Sequence, residues 1–238
     1  MARRRFFVPE IHAGTARLAG DEAHHLTRVL RVEKGQKYEI SDNREVWLAE
    51  VEGARRDLVT FRALERVEAA EPPVRTWLYI ALIRFERIEL LVEKATELGV
   101  ERIAFFAAER SEKGLDRAAP KRLERWRRIA REASEQSRRV RVPEIAGPVV
   151  FREVLDTAEG RLFLLDEAPG GTPPLVALPA DRVSLLVGPE GGWTERERAL
   201  AHEAGWRSLS LGPSILRTET AAIAALAVVN AASQRSSG

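Results

Sequence analysis

Two loops rich in glycine and proline, near the C-terminus, constrain the fold of this 238-residue chain most strongly. The first runs from Leu185 to Trp193 (LLVGPEGGW) and the second from Leu209 to Thr220 (LSLGPSILRTET). Each loop begins where an apolar, strand-like run ends, and each leads into a helical pattern. Because open α/β folds bind ligands at the carboxyl ends of parallel strands, the loops predict a small-molecule site at that edge of a sheet.

The composition is typical of a globular protein, with 45% hydrophobic and 31% charged residues. No run reaches the roughly 18 apolar residues of a membrane span. Only three apolar residues follow the basic start Arg3–Arg5 before Pro9, which disfavours a signal peptide. The chain has no cysteine, so disulfides and thiolate metal sites are excluded. We therefore expect a cytoplasmic protein without a membrane partner.

Positive charge is concentrated in two segments, although the formal net charge is only +2. Residues 1–31 hold six arginines against three acids, and residues 121–141 hold nine basic residues against three acids. This asymmetry favours a polyanionic partner such as nucleic acid. An alternative is that the arginine-rich composition reflects a hot habitat or a GC-rich genome.

Residues 1–70 are expected to form a small β-barrel or sandwich, because short apolar strand patterns are separated by turn formers. One helix is predicted at 21–30, with Asp21 as its N-cap. The predicted strands are 5–8, 37–40, 45–51 and 58–64. Consecutive prolines at Pro72 and Pro73 stop both helix and sheet, so 71–73 is the predicted linker.

Residues 74–238 show alternating β and α patterns, which predict a parallel-sheet α/β domain. The predicted strands are 77–83, 103–108, 162–165, 183–187 and 206–211. The predicted helices are 85–98, 123–137, 194–204 and 218–230. Thr194 and Glu197 have the spacing of a capping box, and Thr218 is the expected cap of the last helix.

The glycines of the first loop permit positive φ and let backbone amides approach a ligand closely. Neither loop matches the dinucleotide fingerprint or the P-loop, which disfavours a nucleotide phosphate site. Arg217 lies just before a predicted helix N-terminus, where it could hold a carboxylate or phosphate, or pair with Glu219 at the surface. The four histidines have no metal-ligand spacing, so no metal site is expected.

Seven segments, in this order along the chain, resemble the SPOUT-class methyltransferases that modify N3 of a uridine in small-subunit ribosomal RNA. The segments are 5–8 (RFFV), 24–31 (HHLTRVLR), 93–99 (EKATELG), 109–111 (ERS), 131–137 (REASEQS), 186–193 (LVGPEGGW) and 209–221 (LSLGPSILRTETA). Each segment is weak individually. The last three are specific when they occur in this order.

The resemblance implies an RNA-binding, PUA-like β-barrel at 1–70 and a SPOUT α/β domain at 74–238. It implies a deep trefoil knot at about 185–220, although knots are rare exceptions among folds. S-Adenosyl-L-methionine would bind in the knot loops of a homodimer whose active site draws on both subunits. The substrate would be 16S rRNA within an assembled or late-stage 30S subunit.

Carried onto this sequence, the resemblance assigns site residues. The expected cofactor-binding residues are Leu165, Gly188, Pro189, Glu190, Gly191, Ser210, Leu211, Gly212, Leu216, Arg217, Thr218 and Thr220. The expected RNA-binding residues are Arg3, Arg4, Arg5, Arg28, Arg31, Arg110, Gln136 and Arg139. Arg217 is the expected catalytic residue, while Glu135, Glu190 and Glu219 are other candidates for handling the uracil N3 proton.

Three features depart from the family pattern. Ser214 stands where relatives often have a basic residue, which puts a direct role of that side chain in doubt, and Arg138 stands where a small residue is common. The segment 41–43 lacks the glycine-rich hairpin often found there, which affects only a turn of the barrel. Two alternative functions remain at this point: a SPOUT methyltransferase that acts on another RNA, and a non-catalytic ribosome-binding factor.

Overall fold

The computed structural model describes residues 4–167 and 181–234. The chain divides into two compact units. The first comprises Met1–Glu71 together with Ser134–Val142, and the second comprises Pro72–Ala133 and Pro143–Gly238. The segment 134–142 thus groups with the N-terminal residues, whereas the sequence patterns placed it in the second domain. Arg3, one of the expected RNA-binding residues, lies outside the described residues.

The first unit contains a six-stranded sheet with the strand order β1-β4-β5-β6-β3-β2. Only β1 and β4 run parallel; the other neighbouring pairs are antiparallel. The strands are β1 (Arg5–Phe7), β2 (Ile11–His12), β3 (Thr15–Ala19), β4 (Lys37–Ser41), β5 (Val46–Arg55) and β6 (Leu58–Arg66). Successive side chains of a strand point to opposite faces of the sheet, so Val59 and Phe61 of β6 lie on the same face. They pack in a core with Phe6, Leu18, Ile40 and Val51.

Helix α1 of the first unit spans Gly20–Arg28, close to the predicted 21–30. The predicted N-cap was wrong, since the N-cap residue is Ala19 and no side chain caps the helix. Asp21 instead lies in the first turn, where its negative charge complements the helix dipole. Strands β2 and β3 were not predicted.

The segment 138–142 is fastened to strands of the first unit by polar contacts. Arg138 forms an ion pair with Glu39, and its carbonyl oxygen accepts a hydrogen bond from Arg5. Further along, Ser41 Oγ donates to the carbonyl oxygen of Val140 at 2.6 Å, and Val142 N donates to the Asn43 side chain at 2.9 Å. The contacts of Arg138 thereby give this departure from the family pattern a structural role.

The second unit contains a six-stranded, wholly parallel sheet with the order β12-β10-β11-β7-β8-β9. The strands are β7 (Arg75–Ala81), β8 (Arg102–Phe106), β9 (Glu144–Val149), β10 (Arg161–Leu165), β11 (Arg182–Val187) and β12 (Arg207–Leu209). Because β7, β8, β10 and β11 are continuous apolar runs, they are buried along most of their length. This confirms the prediction of a parallel-sheet α/β architecture.

Six α-helices occur among the described residues of the second unit or extend from it. They are α2 (Phe85–Glu97), α3 (Leu115–Ala118), α4 (Leu123–Gln136), α5 (Phe151–Thr157), α6 (Glu195–Glu203) and α7 (Thr218–Gln234). Thr194 and Glu197 form the predicted capping box at the start of α6. Strand β9 was not predicted, because Gly147 and Pro148 interrupt the strand pattern. Helix α5 was not predicted either. Within residues 4–167 and 181–234, no helix is long and apolar enough to cross a membrane.

Candidate cofactor-binding site

Three neighbouring parallel strands end side by side at one edge of the second sheet. Leu165, the last residue of β10, is in register with Val187 at the end of β11 and with Leu209 at the end of β12. The two glycine- and proline-containing loops leave the sheet directly after Val187 and Leu209. The strand ends and loops are thus adjacent in space, as the sequence predicted.

A cavity of about 100 Å³ lies between these strand ends, the two loops and the first turn of α7. Seven of the expected cofactor-binding residues line it: Leu165, Gly188, Pro189, Leu211, Gly212, Leu216 and Thr218. Glu190, Gly191, Ser210, Arg217 and Thr220 are not among the lining residues. The lining that sequence reasoning missed is Asp166, Glu167, Val187, Gly192, Trp193, Leu209, Ser214 and Ala221.

Trp193 holds the first loop against the end of β10. Its indole Nε1 donates to the carbonyl oxygen of Leu165 at 2.9 Å, and its ring stacks on Phe106 with centroids 6.2 Å apart. A Cβ atom at Gly188 would lie 2.8 Å from the Trp193 ring, closer than real Cβ contacts allow. Gly188 is therefore required by this packing, in addition to any contact with a ligand.

The far end of the first loop is held by residues that follow β8. Arg110 Nη1 donates to the carbonyl oxygens of Gly191 at 3.1 Å and of Trp193 at 3.2 Å. The backbone N of Glu109 donates to Glu197 of the capping box at 2.8 Å. Arg110 was expected to bind RNA; in the structure its guanidinium fixes the conformation of this loop.

Asp166, the residue after β10, forms a buried ion pair with Arg198 of α6. Arg198 Nε lies 2.7 Å from Asp166 Oδ2, and the Asp166 side chain is 1% exposed. The hydrogen bond to Asp166 raises the pKa of Arg198 above its ordinary value. Glu167 also lines the cavity, so carboxylates are the charged groups of this lining. The rest of the lining is largely apolar, which suits a ligand with an aromatic part.

The expected catalytic residue Arg217 is exposed, and its carbonyl oxygen accepts the α7 hydrogen bond from Ala221 N at 2.8 Å. Within residues 4–167 and 181–234 its guanidinium forms no ion pair, so the alternative that Arg217 pairs with Glu219 at the surface is not observed. Glu219 instead lies 3.9 Å from Arg87, which also forms an ion pair with Glu190. Arg87 of α2 was missed because nothing in the local pattern distinguishes it from other surface arginines.

The expected RNA-binding residues fall into different environments. Arg4, Arg28, Arg31 and Gln136 are exposed, and Arg139 is partly buried. The structure corrects the expectation for Arg5, whose side chain is 2% exposed and lies 2.8 Å from the Glu39 carboxylate. Because Arg5 pairs in register with Glu39 across β1 and β4, its guanidinium is enclosed and unavailable to a phosphate. In the described part of the chain, no group of three potential ligands could hold a metal ion.

Comparisons with known proteins match two parts of the chain. Residues 70–230 match the family described as an RNA methyltransferase domain, and residues 18–64 match the RNA methyltransferase PUA domain. A Synechocystis protein named ribosomal RNA small subunit methyltransferase E is 37% identical over 97% of this chain and 78% of its own length. A protein of the same name from Aquifex aeolicus is 31% identical over 94% of this chain and 97% of its own.

Solved structures extend the similarity to three dimensions. A putative methyltransferase from Legionella pneumophila, in complex with the bound cofactor S-adenosylmethionine, superposes with a TM-score of 0.87 at 30% identity over 98% of both chains. The ribosomal RNA small subunit methyltransferase E of Neisseria gonorrhoeae, bound to the same compound, gives 0.86 at 31% identity over 95% and 96%. This chain therefore belongs to the RNA methyltransferase family that includes the ribosomal RNA small subunit methyltransferases E.

Proposed function

We propose that this protein methylates N3 of a uridine in 16S ribosomal RNA with S-adenosylmethionine as methyl donor, in the cytoplasm. The observation that carries the proposal is the cavity at the ends of β10, β11 and β12. It lies in a chain that is more than 30% identical, over nearly its whole length, to small-subunit rRNA methyltransferases.

The cavity has the chemistry that this cofactor requires. Apolar side chains suited to an adenine ring line it at Leu165, Val187, Leu209, Leu211 and Leu216. Glu167 adds a carboxylate that would complement the positive charge of a sulfonium compound, whereas the Asp166 carboxylate is paired with Arg198. Gly188 and Gly192 carry no side chain and would let a ligand approach the backbone of the first loop closely. These residues would therefore hold the cofactor between the two loops.

The cofactor supplies an activated methyl group when it is bound. The protein contributes mainly the position of the reacting atoms, since methyl transfer requires in-line approach. The uracil N3 proton must also leave, either to a base or with the uracil anion stabilised by a cation. We assign the electrostatic role to Arg217, because this exposed residue lies in the sequence between Leu216 and Thr218, which both line the cavity.

The carboxylate candidates differ in how accessible they are. Glu190 forms an ion pair with Arg87, which competes with its use as a base. The Glu219 side chain is only 9% exposed. Glu135 is partly buried in the segment 134–142 of the first unit. A uridine normally pairs through N3, so the target must be unpaired or extruded before it can react.

RNA would be bound mainly through phosphates by exposed arginines of the first unit, of which Arg4, Arg28 and Arg31 are the described candidates. Gln136 and Arg139 of the segment 134–142 would contribute to the same interface. The assembled or late-stage 30S subunit is the proposed form of the substrate. Arg110 already donates hydrogen bonds to the first loop, so any contact that it makes with RNA would be additional to this role.

A homodimer completes the proposal. After Glu219, helix α7 carries no charged residue, and Ile223, Ala227 and Val228 are partly or fully exposed on it. The neighbouring Ile215 is 81% exposed. An apolar helix surface of this kind favours burial against a second chain, as the family resemblance implies. The trefoil knot at about 185–220 belongs to the same resemblance-based proposal.

The test is methyl transfer from labelled S-adenosylmethionine to unmethylated 30S subunits, 23S RNA and transfer RNA, followed by nucleoside analysis. We expect 3-methyluridine on the 30S subunits alone. Incorporation into transfer RNA or 23S RNA would favour the alternative of a methyltransferase for another RNA. An absence of cofactor binding by calorimetry would favour a non-catalytic ribosome-binding factor.

A further inference from the structure

Arg87, in the first turn of α2, contacts one acidic residue in each of two segments that border the cavity. Its Nη1 forms an ion pair with Oε1 of Glu190, which lies between the cavity-lining Pro189 and Gly192 of the first loop. Its Nε lies 3.9 Å from Oε1 of Glu219, which lies between the cavity-lining Thr218 and Ala221 of α7. One guanidinium thus lies between the first loop and the start of α7.

Glu219 depends on this cation for charge compensation. Its side chain is 9% exposed, and among the residues that the structure describes Arg87 is the cation paired with it. Its second oxygen, Oε2, is buried without a hydrogen-bond partner within residues 4–167 and 181–234. A buried carboxylate is costly unless a cation or donors compensate it, although the start of a helix reduces this cost. Arg87 and the first turn of α7 are therefore energetically coupled.

The other contacts of the first loop do not replace this one. Arg110 and Trp193 hold the backbone at Gly191 and Trp193, whereas Arg87 holds the side chain of Glu190 at the tip of the loop. A guanidinium can contact two carboxylates at once because its donors point in fixed, different directions. The ammonium group of a lysine would hold one of them as a point charge.

We propose that Arg87 is a positioning residue for the cofactor, an inference that rests on the proposed function. It fixes the distance between the Pro189–Gly192 side of the cavity and the Thr218–Ala221 side, and it touches neither the cofactor nor the RNA. Its ion pair also holds Glu190 away from the methyl-transfer reaction, so Glu190 acts as an anchor for the loop.

The experiment compares Arg87→Met with Arg125→Met in the full-length protein. Arg125 of α4 is the matched control, since it forms an ion pair with Glu89 of α2, the helix that carries Arg87. Glu89 belongs to neither of the segments that border the cavity. Hydrogen exchange is measured without cofactor at the backbone amides of residues 188 and 190–193. S-Adenosylmethionine affinity is measured separately by calorimetry. Arg87→Lys and Glu190→Gln complete the set of variants.

In Arg87→Met we expect loop amides to exchange about tenfold faster and the cofactor Kd to rise about tenfold, with neither change in Arg125→Met. Arg87→Lys should recover part of both losses. Glu190→Gln, whose side chain is exposed, should reproduce the faster exchange, and it tests the inference even if Arg87→Met fails to fold. Identical behaviour of Arg87→Met and Arg125→Met, or unchanged exchange in Glu190→Gln, would overturn the inference.

The two proposals fail in distinguishable ways. If the unmodified protein does not bind S-adenosylmethionine, the proposed function fails, while the exchange data still report on the loop anchor. If the unmodified protein binds the cofactor and Arg87→Met binds it equally well, the positioning role is wrong and the proposed function is unaffected.

Discussion

The indole Nε1 of Trp193 donates a hydrogen bond to the carbonyl oxygen of Leu165 at 2.9 Å, and both groups are buried. This bond joins the end of the first glycine-containing loop to the end of strand β10. Both residues line the cavity, so the same interaction stabilises the fold and shapes the site. Stability and cofactor affinity should therefore change together when this bond is removed.

Trp193→Phe tests that coupling. The substitution removes the donor and leaves the Leu165 carbonyl oxygen buried without its partner, so the free energy of unfolding should fall by about 1–3 kcal/mol. The cofactor Kd should rise in parallel. Urea denaturation and calorimetry measure the two effects. Trp47→Phe is the control, because the half-buried Trp47 donates to the side chain of Glu45, which is itself only partly buried, in the first unit. Equal effects of the two substitutions would contradict the prediction.

Glu39→Gln should be strongly destabilising, although it lies far from the cavity in the sequence. The Glu39 carboxylate is buried between Arg5 and Arg138, and Arg5 is 2% exposed. Removing the negative charge leaves the Arg5 charge buried and uncompensated, which should cost about 3–5 kcal/mol in urea denaturation. Glu50→Gln, in the exposed pair with Arg62, should cost less than about 1 kcal/mol.

The parallel sheet and the cavity edge were predictable because both depend on local patterns. Continuous apolar runs predicted β7, β8, β10 and β11, and the glycine- and proline-containing turns after Val187 and Leu209 predicted where a ligand would bind. The same signals located the two loops that border the cavity. Residues predicted at a strand end or in a turn, such as Leu165 and Gly188, line this cavity, and their role in cofactor binding stays a prediction.

Ion pairs between distant positions were not predictable from these patterns. Arg87 and Glu190 are separated by 103 positions, and Arg198 and Asp166 by 32. The burial of Arg5 follows from its register with Glu39 across β1 and β4, which the run Arg3–Arg5 does not indicate. Such contacts depend on the tertiary arrangement of strands, so the charge pattern alone assigned Arg5 to the surface.

Tyr79 should make the second unit sensitive to alkaline pH. Burial raises the pKa of Tyr79 above its ordinary value near 10, and Arg102 partly offsets this rise. Because the unfolded chain loses this proton first, the associated stability is complete below pH 10 and is lost as the pH rises through the folded-state pKa. Tyr79→Phe should therefore reduce the loss of stability above pH 10.

Urea denaturation at several pH values between about 8 and 11 measures this effect. Tyr38→Phe is the comparison, since Tyr38 is the other tyrosine of the chain and is only partly buried. Its pKa is also raised, chiefly by burial, so a smaller effect in the same direction is expected. A wild-type protein and a Tyr79→Phe variant with the same pH dependence would show that this phenol does not contribute.

Reversing charge at Arg28 and Arg31 should separate RNA binding from cofactor binding. Both side chains are exposed in the first unit, and the cavity lining lies wholly in the second unit. Arg28→Glu/Arg31→Glu should abolish methyl transfer to 30S subunits while the cofactor Kd stays within about twofold of the original value.

Arg28→Lys/Arg31→Lys, which retains the charge, should keep most of the activity if the contacts are to phosphates. The activity of the lysine variant should fall steeply with added salt, since phosphate contacts release counterions. Loss of cofactor affinity in the glutamate variant, or full methylation by it, would show that these arginines do not act as a separate RNA-binding surface.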